Sequence, residues 1–128
     1  MTQIGIGIVG GGYMGKAHSV AMSSVGAIFD TKLRPRLEMI AATSPESAER
    51  YRSMYGFARA ALDWQALVAD ERVEAVIVAS PQDTHRAISE AALKLGKPVL
   101  CEKPIAESLE DARAMVEAAE AAGVANMM

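Results

Sequence analysis

The sequence predicts an α/β domain: a doubly wound parallel sheet in a three-layer α/β/α arrangement. Three observations carry this. Short apolar runs alternate with helical stretches along the whole chain, the pattern of a βαβ succession. The run Ala75-Val76-Ile77-Val78-Ala79 is continuously apolar, as in a strand covered on both faces. The first run, Ile4 to Val9, breaks into Gly10-Gly11-Gly12-Tyr13-Met14-Gly15 and continues as a helix, so a glycine turn joins the first strand to the first helix. With right-handed crossovers, a turn at that point gives the strand order 3-2-1-4-5-6 and a ligand site across the carboxyl ends of strands one and four.

Strand one is placed at Gly5–Val9 and helix one at Tyr13–Val25. Between Gly26 and Pro35 the periodicity lapses, and Gly26, Asp30 and Pro35 punctuate a loop whose Lys32, Arg34 and Arg36 read as solvated charges. Strand two follows as Leu37–Thr43. Ser44-Pro45-Glu46 then opens helix two, with Ser44 as N-cap and Pro45 at the first helical position; Gly56 ends it. Phe57–Ala60 is a short third strand. Asp63 caps a brief helix, Trp64–Ala69, whose Trp64, Leu67 and Val68 share an apolar face, so Trp64 reads as a core anchor rather than a ligand contact. Strand four is Ala75–Ala79. After Ser80-Pro81-Gln82-Asp83, helix four runs from Thr84 to Leu95 and stops at Gly96. Strand five is Pro98–Cys101. The last helix opens with a capping box, Ser108-x-x-Asp111, and runs to Ala122, where Gly123 closes it; Val124–Met128 begins a sixth strand.

Residues 1–128 make one domain, long enough to bury about two-thirds of its unfolded surface. A hydrophobic content of 51% with 23% charged residues argues against disorder, and a net charge of -3 offers no basic surface for nucleic acid. No apolar run approaches the ~20 residues of a membrane span, and the N-terminus enters the first strand without a basic n-region or cleavage site. A cytoplasmic protein with no membrane contact is expected. The single cysteine, Cys101, excludes an internal disulfide and a multi-cysteine metal site, and no metal is expected. With no base beside it, Cys101 reads as a small buried hydrophobe.

Gly10, Gly12 and Gly15 fit G-x-G-x-x-G, with a strand before and a helix after, the context that makes the motif a dinucleotide fingerprint of a Rossmann-type fold. Gly10 allows the tight turn, Gly12 lets the backbone approach a pyrophosphate, and Gly15 lets helix and strand pack closely. Tyr13 and Met14 lie inside the motif at the helix start and join it as candidate cofactor contacts. The end of strand two, where NAD-binding folds often place an acid against the ribose 2′-hydroxyl, offers Thr43 and Ser44, with no carboxylate before Glu46 and no arginine before Arg50. NAD and NADP both remain open, and Ser44 can cap helix two in either case. At the carboxyl end of strand four, the polar side chains of Ser80-Pro81-Gln82-Asp83-Thr84-His85 would face the nicotinamide ribose; ordinary capping of helix four explains Asp83 or Thr84 but not His85, although an isolated histidine is more often a surface or packing residue than a ligand. At the carboxyl end of strand five, Glu102-Lys103-Pro104 reads either as a solvated ion pair held by proline or as a substrate-facing group in which Lys103 exchanges protons.

Taken together, Gly10-x-Gly12-x-x-Gly15, Ser80-Pro81-x-x-x-His85 and Glu102-Lys103-Pro104, in that order, resemble the N-terminal nucleotide-binding domain of the Gfo/Idh/MocA family (glucose–fructose oxidoreductase and inositol dehydrogenase) over essentially the whole chain. The resemblance implies reversible hydride transfer between NAD or NADP and a sugar, cyclitol or related alcohol. It implies that Lys103 positions substrate and relays a proton, that Glu102 and Pro104 shape the nicotinamide pocket with Pro104 often cis, that Gln82 stands where relatives contact the cofactor ribose, and that His85 matches the histidine of the same loop. Full-length relatives continue into a larger α/β domain that walls the substrate site, supplies the catalytic partners of the lysine and usually makes the homo-oligomer contact.

The chain stops at Met128, before any such domain. Two readings follow: a fragment of a dehydrogenase that keeps the cofactor fold with little turnover, or a stand-alone dinucleotide-binding regulatory module. The first accounts better for Lys103 and for the short sixth strand, and either reading carries the expectation of an exposed apolar patch, with self-association or poor solubility. A methyltransferase also begins with a glycine turn after strand one, but usually has an acid after strand two and lacks Glu-Lys-Pro.

Overall fold

In a computed structural model that describes residues 2–128, one parallel sheet carries six strands among the described residues, ordered β3-β2-β1-β4-β5-β6. In chain order the elements are β1 (Thr2–Val9), α1 (Tyr13–Ile28), β2 (Leu33–Ala41), α2 (Pro45–Tyr55), β3 (Arg59–Ala60), α3 (Trp64–Ala69), β4 (Ala75–Val78), a 3-10 turn (Gln82–Thr84), α4 (His85–Lys94), β5 (Val99–Cys101), α5 (Leu109–Ala122) and β6 (Asn126–Met127). The strand order is the one expected from the position of the glycine turn.

Alternation along the central strands builds the two cores. Ile6 and Ile8 of β1, Ile40 of β2 and Ile77 of β4 point to the face where Met22 of α1 and Tyr51 and Tyr55 of α2 pack. Val9, Met39, Ala41, Val76 and Val78 point the other way, into a core shared with Leu67 of α3, Ile88 of α4 and Met115 of α5. Side chains such as Ile8, Ile40 and Leu67 are wholly removed from water, each worth about 2 kcal/mol.

Caps behave as their sequences imply at α2 and α5. Ser44 Oγ accepts from Ser47 N at 3.1 Å and Ser108 Oγ from Asp111 N at 3.0 Å, while Gly56 and Gly123 end the two helices with φ of 83° and 63°. The Asp111 carboxylate, however, serves α4, accepting from Arg86 Nη1 at 2.6 Å.

Residues 26–35 differ from expectation. α1 runs through Gly26 to Ile28, and β2 begins at Leu33, so Arg34 and Arg36 belong to a strand rather than a solvated loop. Pairing with the first half of β1 overrides the local proline signal: Pro35 stands opposite Ile4, at a level that β3, paired only to Met39 and Ile40, does not reach. The register slips between Ile6 and Gly7, leaving Glu38 as the extra residue of a bulge.

That residue is 3% exposed and bears a charge. Burial opposes ionisation of Glu38, but hydrogen bonds from Arg36 Nε (2.7 Å) and Arg59 Nε (2.9 Å) outweigh it and hold the carboxyl below its usual range. Arg59 also bonds both Asp70 oxygens at 2.7 Å, and that hydrogen-bonded pairing brings the Asp70 carboxyl to about 2. The network fastens the edge strand β3 to β2 and to the end of α3.

Because Asp70 titrates lower in the folded chain than the ~4 of an unfolded aspartate, its contribution is complete above pH ~4 and fades as pH falls through about 2. Asp70→Asn is expected to cost about 1–2 kcal/mol at pH 7, after allowance for solvent screening, and roughly half of that at pH 3. Urea denaturation at the two pH values measures this; an equal loss at both would contradict the assignment.

Candidate functional site

The glycine turn is held from three sides. Gly10 N donates to Ala41 O at 2.8 Å and Ala79 N donates to Val9 O at 2.8 Å, so the turn sits between the carboxyl ends of β2 and β4. Gly10 has a φ of +105°, and a Cβ there would lie 2.5 Å from the Ala79 carbonyl oxygen. A Cβ on Gly15 would collide with the Gly10 carbonyl, which is how closely α1 rests on the turn. On the third side stands α2. A Cβ on Gly11 would enter the Tyr51 ring, and the Tyr55 hydroxyl donates to Gly11 O at 2.6 Å. The two tyrosine rings stack with centroids 5.4 Å apart. Sequence reading passed over this pair; its i,i+4 aromatic spacing was the available signal.

Gly12 is different. It is exposed, a Cβ on it would meet nothing within 4 Å, and as N-cap of α1 it makes no side-chain cap bond. The first turn of α1 contains no acid. The unpaired N–H groups and partial positive charge of this helix end therefore face open space, the arrangement that takes a phosphate.

A cleft of about 700 Å³ opens beside the turn. Its walls are Gly10–Gly12, Ala42 and Thr43 after β2, Leu62-Asp63-Trp64 at the start of α3, and Ala79–Pro81 after β4. Of the sequence-predicted contacts, Gly10, Gly12, Thr43, Ser80 and Pro81 line it. Ser44, next to Thr43 in the chain, is not among its walls, and its hydroxyl is engaged as the α2 cap. Tyr13, 88% exposed, and Met14 lie outside the lining, on the outer side of the helix start. Trp64 packs on the core, as its spacing implies, and its other side walls the cleft.

The remaining candidates form a second group at the exits of β4 and β5. His85 is 2% exposed. Its Nδ1 faces Pro104 O and its Nε2 faces Ser80 O, each at 3.0 Å, so it bridges the two exit loops from behind. Gln82 Nε2 adds a second bridge, donating to Ala106 O at 2.5 Å. Thr84 does not cap α4; its hydroxyl donates to Pro81 O and lies 2.6 Å from Ser80 Oγ, and helix four starts as a 3-10 turn. Lys103 is exposed and its peptide bond to Pro104 is cis.

Glu102 is not the solvated partner of Lys103. Its Oε1 lies 2.8 Å from His18 Nε2 of α1, and its Oε2 accepts from the Lys103 backbone N–H at 3.2 Å. The hydrogen bond from His18 holds the Glu102 carboxyl below its usual range, against a small contrary effect of burial. Cys101 is buried and burial pushes its thiol up, as suits an inert core residue.

The profile of the Gfo/Idh/MocA oxidoreductases, an oxidoreductase family with an NAD-binding Rossmann fold, matches residues 4–128. Levoglucosan dehydrogenase of Pseudarthrobacter phenanthrenivorans is 33% identical over all of this chain and 33% of its own length. Inositol 2-dehydrogenase of Rubrobacter xylanophilus is 37% identical over 91% of the chain and 31% of its own length. Among solved structures, a levoglucosan dehydrogenase in complex with NADH and levoglucosan superposes with a TM-score of 0.94 at 32% identity, over 98% of this chain and 34% of that one. The chain spans about a third of the length of these proteins.

The packing separates the glycines into two groups. Gly15→Ala is expected to destabilise the fold by about 2 kcal/mol or more through overpacking against the Gly10 carbonyl. Gly12→Ala should change stability by less than ~0.5 kcal/mol. Urea denaturation of the two variants checks this, and a Gly12→Ala loss as large as that of Gly15→Ala would overturn it.

Proposed function

The chain belongs to the Gfo/Idh/MocA oxidoreductases as their NAD-binding domain, and from that premise we propose that it is the cofactor half of a dehydrogenase acting on an alcohol carbon of a sugar, cyclitol or related polyol. The observation that carries the proposal is the open face of Gly12 at the uncapped start of α1, beside a cleft that Gly10, Gly11 and Gly12 line. Gly10, Gly12 and the first N–H groups of α1 would hold the pyrophosphate, and Thr43 in the cleft, with Ser44 beside it, would meet the adenosine ribose. Ser80, Pro81 and Gln82 place the nicotinamide ribose, and His85 keeps their loop in register with the β5 exit. The dinucleotide supplies a hydride acceptor or donor at the nicotinamide.

The chain's own contribution to chemistry is Lys103. Exposed on the loop after β5, its ammonium holds the substrate hydroxyl and exchanges a proton with it, while Glu102 fixes its backbone and Pro104 shapes the pocket. The two-thirds of the relatives' length that this chain does not span supplies the substrate wall, the partners of Lys103 and the homo-oligomer contact. On this reading residues 1–128 bind the cofactor with little turnover, and the parent enzyme is cytoplasmic. No helix among the described residues is long and apolar enough to cross a membrane.

Calorimetric titration of the chain with NADH and NADPH tests this. Saturable binding of at least one is expected. Gly12→Val should abolish it with little change in melting temperature, because its Cβ has room in the fold and none beside a pyrophosphate. Lys103→Ala should leave affinity within about twofold, since uniform cofactor binding does not use that ammonium. Failure of both nucleotides to bind would overturn the proposal.

A further inference from the structure

The contact between α1 and the β5 exit has a use beyond packing. His18 and Glu102, 84 residues apart, meet at 2.8 Å with side chains only 16% and 17% exposed. The cleft runs from Thr43 after β2, past the glycine turn, to Ser80 and Pro81 after β4. A dinucleotide with its pyrophosphate at Gly12 and its adenosine at the Thr43 end would carry its other half toward the exits of β4 and β5, where Glu102 directly precedes Lys103. We propose that His18 is a specificity-determining residue that sets, through the charge it leaves on Glu102, the preference of this site between the oxidised and reduced dinucleotide. The proposal rests on the cofactor reading above and names what governs the nicotinamide end of that site.

The device needs no movement. A protonated imidazole donates from Nε2 to Glu102, and the pair is neutral overall. A neutral imidazole carrying its proton on Nε2 donates through the same contact, and the pair then carries one negative charge. Imidazole is the side chain that changes charge between pH 5 and 8. The nicotinamide ring is cationic when oxidised and neutral when reduced, so the negative pair favours the oxidised form and the neutral pair removes that bias. Oxidation of an alcohol releases a proton and is itself favoured at higher pH, in the same direction.

The surroundings leave Glu102 as the charge to which His18 responds. Lys103 follows on the same loop and turns to solvent, and Lys16 on α1 is exposed. From β2, Arg36 is bonded to Glu38, and Arg34 lies over Gly26, two turns further along α1. From α2, Arg52 is bonded to Glu49, Arg50 sits over the Tyr51 ring, and the Tyr55 hydroxyl is bonded to Gly11.

The test measures dissociation constants of NAD+ and NADH for residues 1–128 at pH 6 and pH 8.5, using calorimetry and nucleotide fluorescence. In the native sequence the affinity ratio of NAD+ over NADH should rise by about fivefold with pH, the scale of one partly screened charge. His18→Gln keeps a donor but cannot charge, so its ratio should stay at the high-pH value throughout. Glu102→Gln should lower the ratio at both pH values, because either state of His18 then leaves the pair one negative charge short, and it gives a second readout should His18→Gln fold poorly. A pH-independent ratio in the native sequence, or an unchanged pH dependence in His18→Gln, would overturn the inference while leaving the cofactor reading intact. Failure of both nucleotides to bind would remove both.

Discussion

The contact on which the rest depends is the approach of α1 to the exit of β1, so close that no atom fits between position 15 and the Gly10 carbonyl. It sets the height of α1 above the sheet, and other contacts inherit that height. Ser19 lies one turn further on, buried, with its hydroxyl bonded to Gly15 O at 2.7 Å. His18, beside it, reaches the end of β5. With Ala79 closing the turn from β4 and the α2 tyrosines closing it from the far side, what stays open is the face of Gly12 and the cleft beside it. The approaches left to an incoming group are thus set by packing density.

The second consequence is mechanical coupling between two loops that look independent along the chain. The phosphate-facing turn ends in α1, and α1 holds Glu102, whose other oxygen holds the Lys103 amide. The β4 exit is joined to the same loop by His85 and Gln82. The three segments that would surround a nicotinamide are therefore tied to one another by side-chain hydrogen bonds. This is the support that a positioned group requires if its geometry is to hold within a fraction of an ångström.

Much of this was legible because it is local. The glycine turn, the Ser44 and Ser108 caps and the glycine stops at 56 and 123 are decided by neighbouring residues, and the structure follows them. Alternation in β1, β2 and β4 likewise encodes the two faces of the sheet. What escaped was decided by distant partners. β2 begins four residues earlier than its own composition suggests because β1 is there to pair with it. Trp64 reads as core from its helical spacing, and only the tertiary arrangement puts its other side on the cleft. Glu102-Lys103 looks like an ion pair by adjacency, yet the histidine that takes the carboxylate comes from a helix 84 positions away.

The helix starts carry a further piece of information. α2, α3 and α5 each neutralise their own N-terminus with a side-chain cap from Ser44, Asp63 and Ser108, and α2 and α5 add acids in the first turn. α4 enters through a 3-10 turn containing Asp83. α1 does none of this, although a serine in place of Gly12 would meet no steric obstacle and a cap is worth about 1 kcal/mol. A helix of 16 residues, packed on β1 and β2, can leave its end uncapped because tertiary burial holds it. The unsatisfied charge is then kept for a group that arrives from outside, and it stands at the mouth of the cleft.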